Sequence, residues 1–425
     1  MIVVIGAGPA GMMAAIRLGE LGQEVILIEK NSSPGRKLLL SGKGRCNLTN
    51  ACSLDLFLER FSHRAEFLRD AFKKFFNQDL MDFFQKSGLA LKVERQQRVF
   101  PQTDRSASIV EVLEKELKKN KVELLYKTAL KDILIRNGRI QGVLLTGDRA
   151  IQADKLILAT GGVSFAFTGS SGEAFELVKK SGHHIVAFRP GLVPLVTKEH
   201  YPALLEGLTL ENIRLKFTSG KKQIISEVGD LIFTKFGISG PLVLSLSGRI
   251  VDMLQDNKSV HLAIDLKPAL SVEQLDARLL REFKLNAKKS LKNTLKTLLP
   301  LRLIDLFMEI AKIDPLKITC QITQKERKII LSLLKGLELN IARPLAIEEA
   351  MVTRGGVDLK DINPRTMESR LIKGLYFAGE MIDIDADTGG FNLQAAFSTG
   401  YLAGESAALS SYRLSAVSSQ LKADS

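Results

Sequence analysis

The residues best spaced for chemistry stand at the start of the chain. Gly6, Gly8 and Gly11 form a G-x-G-x-x-G with Ala7, Pro9 and Ala10 between them, and the acidic Glu29 follows. In such a turn the first glycine allows a tight strand-to-helix reversal. The second lets a pyrophosphate approach the backbone, and the third lets helix and strand pack closely. The helix start then offers unpaired N–H groups and the positive end of its dipole to phosphates. A carboxylate about 20 residues on accepts hydrogen bonds from an adenosine ribose, and Glu29 is so placed. The chemistry is the holding of a dinucleotide.

Two further stretches carry polar residues among glycines. After the turn-rich Asn31-Ser32-Ser33-Pro34-Gly35-Arg36-Lys37 comes Ser41-Gly42-Lys43-Gly44-Arg45-Cys46-Asn47, a set of donors suited to a loop closing over phosphates and a polar ring. Near the end, Gly379-Glu380 precede an acidic segment, Asp383 to Asp387, and Thr388-Gly389-Gly390 then open a helix. Three aspartates in five residues raise a metal site, but the EF-hand spacing is absent and a loop is expected. Cys46, Cys52 and Cys320 form neither a metal-ligand pattern nor a disulfide framework, and the first two read as structural or incidental thiols. The five histidines fall in no metal or triad spacing, so no catalytic residue is assigned.

The elements that must position these residues follow from periodicity. Ile2 to Ile5 and Val25 to Ile28 are short apolar runs of the buried parallel kind, around a helix over Met12 to Leu21. A further buried strand, Lys155 to Ala159, ends in Thr160-Gly161-Gly162, at the carboxyl edge where open α/β sheets hold ligands. Ala65 to Lys86 has helical period and a phenylalanine stripe that reads as core. Arg98 to Pro101 reads as a loop. A helix over Ala107 to Lys119 leads to a strand, and Asn137-Gly138 marks a hairpin. From Gly191 the pattern changes to long antiparallel strands around Ser219-Gly220, then to a helical stretch from Val272 to Lys312. The expected organisation is a split nucleotide-binding domain, 1–190 and 347–410, with an insertion at 191–346 and a frayed tail at 411–425.

The net charge of +13 favours anionic partners. Much of it lies between Arg281 and Arg302, where Lys284, Lys288, Lys292 and Lys296 recur every four residues. With no aromatic interleaved, a solvated helix face is expected rather than a nucleic-acid patch. No apolar run approaches the ~18 residues of a membrane span. The N-terminus has no basic lead-in, so no signal peptide is expected; three cysteines without a disulfide framework point to a reducing cytoplasm, and no membrane partner is expected.

These pieces resemble the flavin site of glutathione-reductase-like proteins, and more narrowly the BaiN/YhiN-like (aminoacetone-oxidase-like) flavoproteins. The resemblance lies in GRKLLLSGKGRCNLTN (35–50), RVFPQTD (98–104), ATGG (159–162), LIFTKFGISGPLVLSLSG (231–248), VTRGGV (352–357) and GLYFAGEMIDIDADTGGFNLQAAFSTG (374–400). It implies an α/β fold, a Rossmann-like FAD-binding domain split by a β-barrel plus helical subdomain. It implies FAD held by Gly6, Gly8, Pro9, Ala10, Gly11, Glu29, Lys30, Arg36, Lys37, Ser41, Gly42 and Asn47. Ala129 would lie near the adenine, and Thr160, Gly161, Gly162, Gly379, Glu380, Gly390, Asn392 and Leu393 would complete the site. The implied activity is FAD-dependent oxidation or reduction of a small organic substrate. No second glycine fingerprint is present, so NAD(P)H is expected to dock transiently as electron donor. The alternatives are a flavin amine oxidase using oxygen, an RNA-associated flavoprotein, or a flavin-binding protein without turnover.

Overall fold

The computed structural model describes residues 1–256 and 259–423, with side chains through Leu409. The chain divides into two compact units, Met1–Gly191 with Ile347–Ser425, and Leu192–Ala346.

The first unit is built on a five-stranded parallel sheet. Its strands are β1 (Ile2–Ile5), β2 (Val25–Ile28), β3 (Glu123–Leu125), β4 (Lys155–Leu158) and β5 (Leu375–Phe377), in the order β5-β4-β1-β2-β3. β1 is central, pairing Ile2 with Val25 on one side and with Lys155 on the other. β1, β2, β4 and β5 are buried at every position, as unbroken apolar runs require between two helical layers. The helix after β1, α1 (Pro9–Glu20), begins three residues before the expected Met12. Proline has no N–H to leave unpaired in a first turn, and its fixed φ suits that place.

A second helix, α2 (Phe391–Ala423), packs along α1 through glycine. A Cβ on Gly404 would come within 2.6 Å of the Ala14 carbonyl oxygen, and one on Gly400 would overlap that of Ala10. The two backbones are therefore in direct contact. Arg17 pins the pair by a 2.8 Å ion pair to Glu405, its guanidinium lying 4.7 Å from the Tyr401 ring centre. The expected frayed tail, 411–425, lies outside the residues whose side chains are described.

Three local expectations are corrected. Arg98–Pro101 is a strand, not a loop, lying between Thr49–Asn50 and Leu91–Val93 with Val99 and Phe100 buried. Its short apolar content is satisfied only by that pairing. Arg36–Leu40 is a short helix that begins inside the turn-rich stretch Asn31 to Lys37, which was read as a loop. The period over 65–86 splits into Ala65–Leu68, Arg69–Lys74 and Asn77–Lys86. It breaks because Phe75 is extended, with its ring stacked on Tyr401 at 4.6 Å.

In the second unit, six strands close a barrel in the order Leu195–Thr197, Gly237–Ser239, Lys222–Thr234, Thr209–Ser219, Val260–Asp265, Leu337–Pro344. The lysine run is not one helical face. The helix Val272–Leu285 stops, and a bridge from Ser290 to Ile318 takes the backbone before Leu291–Leu295 begins. Lys284, Lys288 and Lys296 are exposed, while Leu291, Leu295, Leu298 and Leu299 are buried. Among the described residues, no helix is long and apolar enough to cross a membrane.

Gly400→Val is expected to lower stability by about 1–3 kcal/mol through overpacking, because the Ala10 backbone cannot yield without moving the glycine turn. Urea unfolding of the purified protein measures it; an unchanged midpoint would show that α1 and α2 do not depend on this contact.

Candidate functional site

The glycine turn separates a closed side from an open one. A Cβ on Gly6 would lie 2.5 Å from the Ala159 carbonyl oxygen at the end of β4, and one on Gly11 would overlap the Gly6 carbonyl. At Gly8 a Cβ would meet nothing within 4 Å. Gly8 is also the N-cap of α1 and carries no side-chain cap, so the first N–H groups of the helix face open space. This is a cradle for an anion, bounded by backbone on one side only.

Glu29 stands next to it, buried at 8% exposure. One carboxylate oxygen accepts from the Ala7 N–H at 2.9 Å. The other accepts from the Asn31 N–H at 2.9 Å and its side-chain amide at 2.7 Å. Thr128 donates its N–H to the Glu29 carbonyl, which brings the adjoining Ala129 to this edge. Both backbone groups of Ala129 are already bonded to Thr146. Lys30 and Arg36 are engaged locally, Lys30 with Ser171 at 2.5 Å and Arg36 with the Asn31 side chain at 2.8 Å.

A second polar group joins segments far apart in the chain. Glu380 accepts from Lys37 Nζ at 2.6 Å, from Ser164 Oγ at 3.2 Å and from the Thr353 N–H at 2.7 Å. Thr353 Oγ1 in turn accepts the N–H groups of Val163 and Ser164, at 2.8 and 3.0 Å. Its hydroxyl fills the space that a side chain at Gly162 would need. The Thr160-Gly161-Gly162 turn, the Gly379-Glu380 turn and Lys37 are thus one assembly. Sequence reasoning did not single out Ser164 or Thr353, both essentially fully buried; the signal for Thr353 was its place in the VTRGGV stretch.

The loop 41–47 reaches the start of α2. With its amide oriented to satisfy both ends, Asn47 accepts the Gly390 N–H and donates to the Thr49 carbonyl, each at 3.2 Å. Gly390 has φ 97° and packs on the Thr49 backbone, which no side chain would permit. Ser41 Oγ is bonded to the Leu38 carbonyl at 2.6 Å. Arg45 fastens the loop by ion pairs to Glu94 and Asp104, over the Phe100 ring. Cys46 is buried, and burial pushes its thiol up to about 12, so it is no nucleophile at neutral pH.

Asn392 does not point outward. Its amide brackets Ala386, accepting the N–H at 2.9 Å and donating to the carbonyl at 2.8 Å. This holds the acidic segment against the helix start. There His63 and Ser62 meet Asp383 and Asp385, a grouping across more than 300 residues that no local spacing signals. Among the described residues, no cluster of potential ligands is arranged for a metal.

With its parallel sheet and the uncovered Gly8 at the start of α1, the first unit is of the Rossmann dinucleotide-binding class. The chain belongs to the family described as "HI0933-like protein Rossmann domain", which it matches over residues 1–406. It is an FAD-dependent oxidoreductase. It is 30% identical over 410 residues to the 3-dehydro-bile acid delta(4,6)-reductase of Clostridium scindens, covering 96% of this chain and 98% of that protein. It is also 30% identical over 404 residues to the ribosomal RNA dihydrouridine synthase of Escherichia coli, covering 94% and 96%. In fold it is similar to 3-ketosteroid delta1-dehydrogenase from Sterolibacterium denitrificans, with TM-score 0.52 and 12% identity over 96% of this chain and 99% of that one.

Thr353→Val is expected to cost about 1–3 kcal/mol, because the Val163 and Ser164 N–H groups would be left buried without an acceptor. Denaturant unfolding reads this; a loss below a few tenths would mean the turn finds another acceptor.

Proposed function

We propose that this oxidoreductase saturates a carbon–carbon double bond conjugated to a carbonyl. The observation that carries the reading is that two relatives spanning nearly the whole chain bear names for different substrates but one bond change. A Δ4,6-reductase acting on a 3-dehydro bile acid saturates alkenes conjugated to a ketone, and dihydrouridine is uridine with a carbonyl-conjugated ring alkene saturated. FAD supplies the two electrons of such a reduction when bound.

The chain's own residues fit that cofactor. The Gly6–Gly11 turn and the α1 N-terminus would take the pyrophosphate on the open side at Gly8. Glu29 would turn Oε2 to the ribose, since that oxygen accepts only the Ala7 N–H whereas Oε1 already accepts two bonds from Asn31. Gly379-Glu380 and the start of α2, with Gly390 and Leu393, would receive the remainder. Lys37 holds the Glu380 carboxylate in one orientation, and Asn47 ties the 41–47 loop to Gly390. No fingerprint for a second dinucleotide is present, so NAD(P)H would dock transiently and weakly as donor.

The preferred substrate is a small carbonyl-conjugated alkene. A uridine in RNA is the second reading, supported by the E. coli relative and the charge of +13. The test is anaerobic incubation of reduced protein with a 3-keto steroid alkene, or with unmodified ribosomal RNA, followed by mass spectrometry for two added hydrogens. Uptake by either fixes the substrate class; uptake by neither, with bleaching of the oxidised protein by amines, would make this an amine oxidase instead.

Gly8→Val is expected to abolish copurified FAD while leaving the unfolding free energy of the apoprotein within about 0.5 kcal/mol of wild type. The added side chain would enter only the open cradle. Normal FAD content in the variant would remove the turn from the cofactor site.

A further inference from the structure

Just past the end of β2, several of the groups assigned to the cofactor meet through one side chain that is not assigned to it. Asn31 gives its backbone N–H and its side-chain amide to Glu29 Oε1, at 2.9 and 2.7 Å. The same amide nitrogen donates to the Thr168 carbonyl at 3.0 Å, and Asn31 Oδ1 accepts from Arg36 Nη1 at 2.8 Å. The Asn31 backbone is held as well, its carbonyl accepting the Lys127 N–H at 3.0 Å. Gly169 leaves the amide its space, since a Cβ there would lie 2.5 Å from the nitrogen. The amide has one orientation. Turned over, it would set its oxygen against two acceptors and its N–H groups against a guanidinium that only donates.

Resting on the assignment of Glu29 to the adenosine ribose, we infer that Asn31 is a positioning residue for the nucleotide half of the cofactor. It directs Glu29 Oε2 to the ribose and holds Arg36 apart as a separate cation for the phosphates. Oε1 is filled by the two Asn31 bonds, whereas Oε2 takes only the Ala7 N–H, so a ribose hydroxyl is accepted at Oε2. Ala7 belongs to the glycine turn, and its bond keeps Oε2 on the turn's side of the carboxylate.

A neutral amide suits this place for an electrostatic reason. An acid and a base in direct contact would each spend on the other the bonds that a nucleotide needs. Asn31 donates to the one and accepts from the other, so both remain open to a ligand. The Thr168 bond carries the geometry further. Thr168 gives its N–H to the Phe165 carbonyl at 2.8 Å, and the neighbouring Ser164 bonds Glu380 at 3.2 Å. The carboxylates assigned to the two ends of the cofactor are therefore referred to one loop. Closing that loop alone would need only the Thr168 bond, not two bonds to one oxygen of a buried acid.

The experiment uses the full-length chain freed of flavin and reads affinity by calorimetry. The probes are ADP, which carries the adenosine and a pyrophosphate, and its two deoxyribose analogues, each lacking one ribose hydroxyl. Wild type should bind ADP about tenfold more tightly than one of the analogues, as for a hydrogen bond to a charged group. That ratio should fall toward one in Asn31→Ala, as in Glu29→Gln, because the acid is no longer aimed. A residue that only held the loop would weaken all three probes alike and leave the ratio unchanged. Asn31→Asp keeps the acceptor for Arg36 and loses only the side-chain donors. Its ratio should fall too, and it decides the question if Asn31→Ala does not fold. The wild-type ratio in a folded Asn31 variant would overturn the positioning role. Equal binding of all three probes by wild type, or binding of none, would instead overturn the assignment of Glu29 to the ribose, and the role of Asn31 with it.

Discussion

The first unit depends on backbone touching backbone. Gly6 meets Ala159 at the end of β4, Gly11 meets the Gly6 carbonyl, and Gly400 and Gly404 bring α2 against Ala10 and Ala14 of α1. None of these contacts leaves room for a methyl group. Their effect is to stack the first strand-turn-helix, the β4 turn and the last helix within a few ångströms of one another. Three segments from the beginning, middle and end of the chain therefore open onto the same side of the sheet. Within the Gly6–Gly11 turn it is Gly8 that is left uncovered, the gap proposed for the pyrophosphate.

Once the backbones are this close, the polar groups between them must satisfy each other. Burying an ionised carboxylate is costly unless it is hydrogen-bonded and paired. Buried Glu29 is hydrogen-bonded by the Ala7 and Asn31 N–H groups, and half-buried Glu380 is both bonded, by Ser164 and Thr353, and paired, with Lys37. The same bonds that make burial tolerable fix each carboxylate's orientation. Glu380 is held by three donors from three separate segments, so the G-E turn has one position relative to the 160–164 turn. The exposed Arg45, Lys92, Glu94 and Asp104 network is different in kind. Each pair there is solvated and weak, and its contribution is to keep the 41–47 loop on the Leu91–Val93 and Arg98–Pro101 strands.

Much of the fold was legible in short windows. Strands buried on both faces read as unbroken apolar runs, and Asn137-Gly138 read as a hairpin because both residues take positive φ, 51° and 69°. The glycine fingerprint was legible because it obeys a spacing set by one turn and one helix. Arg98–Pro101 was misread for the opposite reason, since four residues carry too little period to show a strand that exists only through its neighbours. The lysines from Lys284 to Lys296 kept a four-residue spacing while the helix beneath them broke, because the Ser290–Ile318 bridge outweighs local propensity.

The sequence alone determined the parallel nucleotide-binding sheet and the cofactor class, because each is encoded by residues within one turn, strand or helix. Tertiary structure alone decided which side chains meet. The Asn392 amide grips Ala386; Ser164 and Thr353 meet Glu380; and His63 and Ser62 face Asp383 and Asp385 from more than 300 residues away. The physical reason is one of range. Backbone conformation is set largely by near neighbours, whereas a hydrogen bond between side chains requires only closeness in space, which the folded chain supplies and the order of residues does not record.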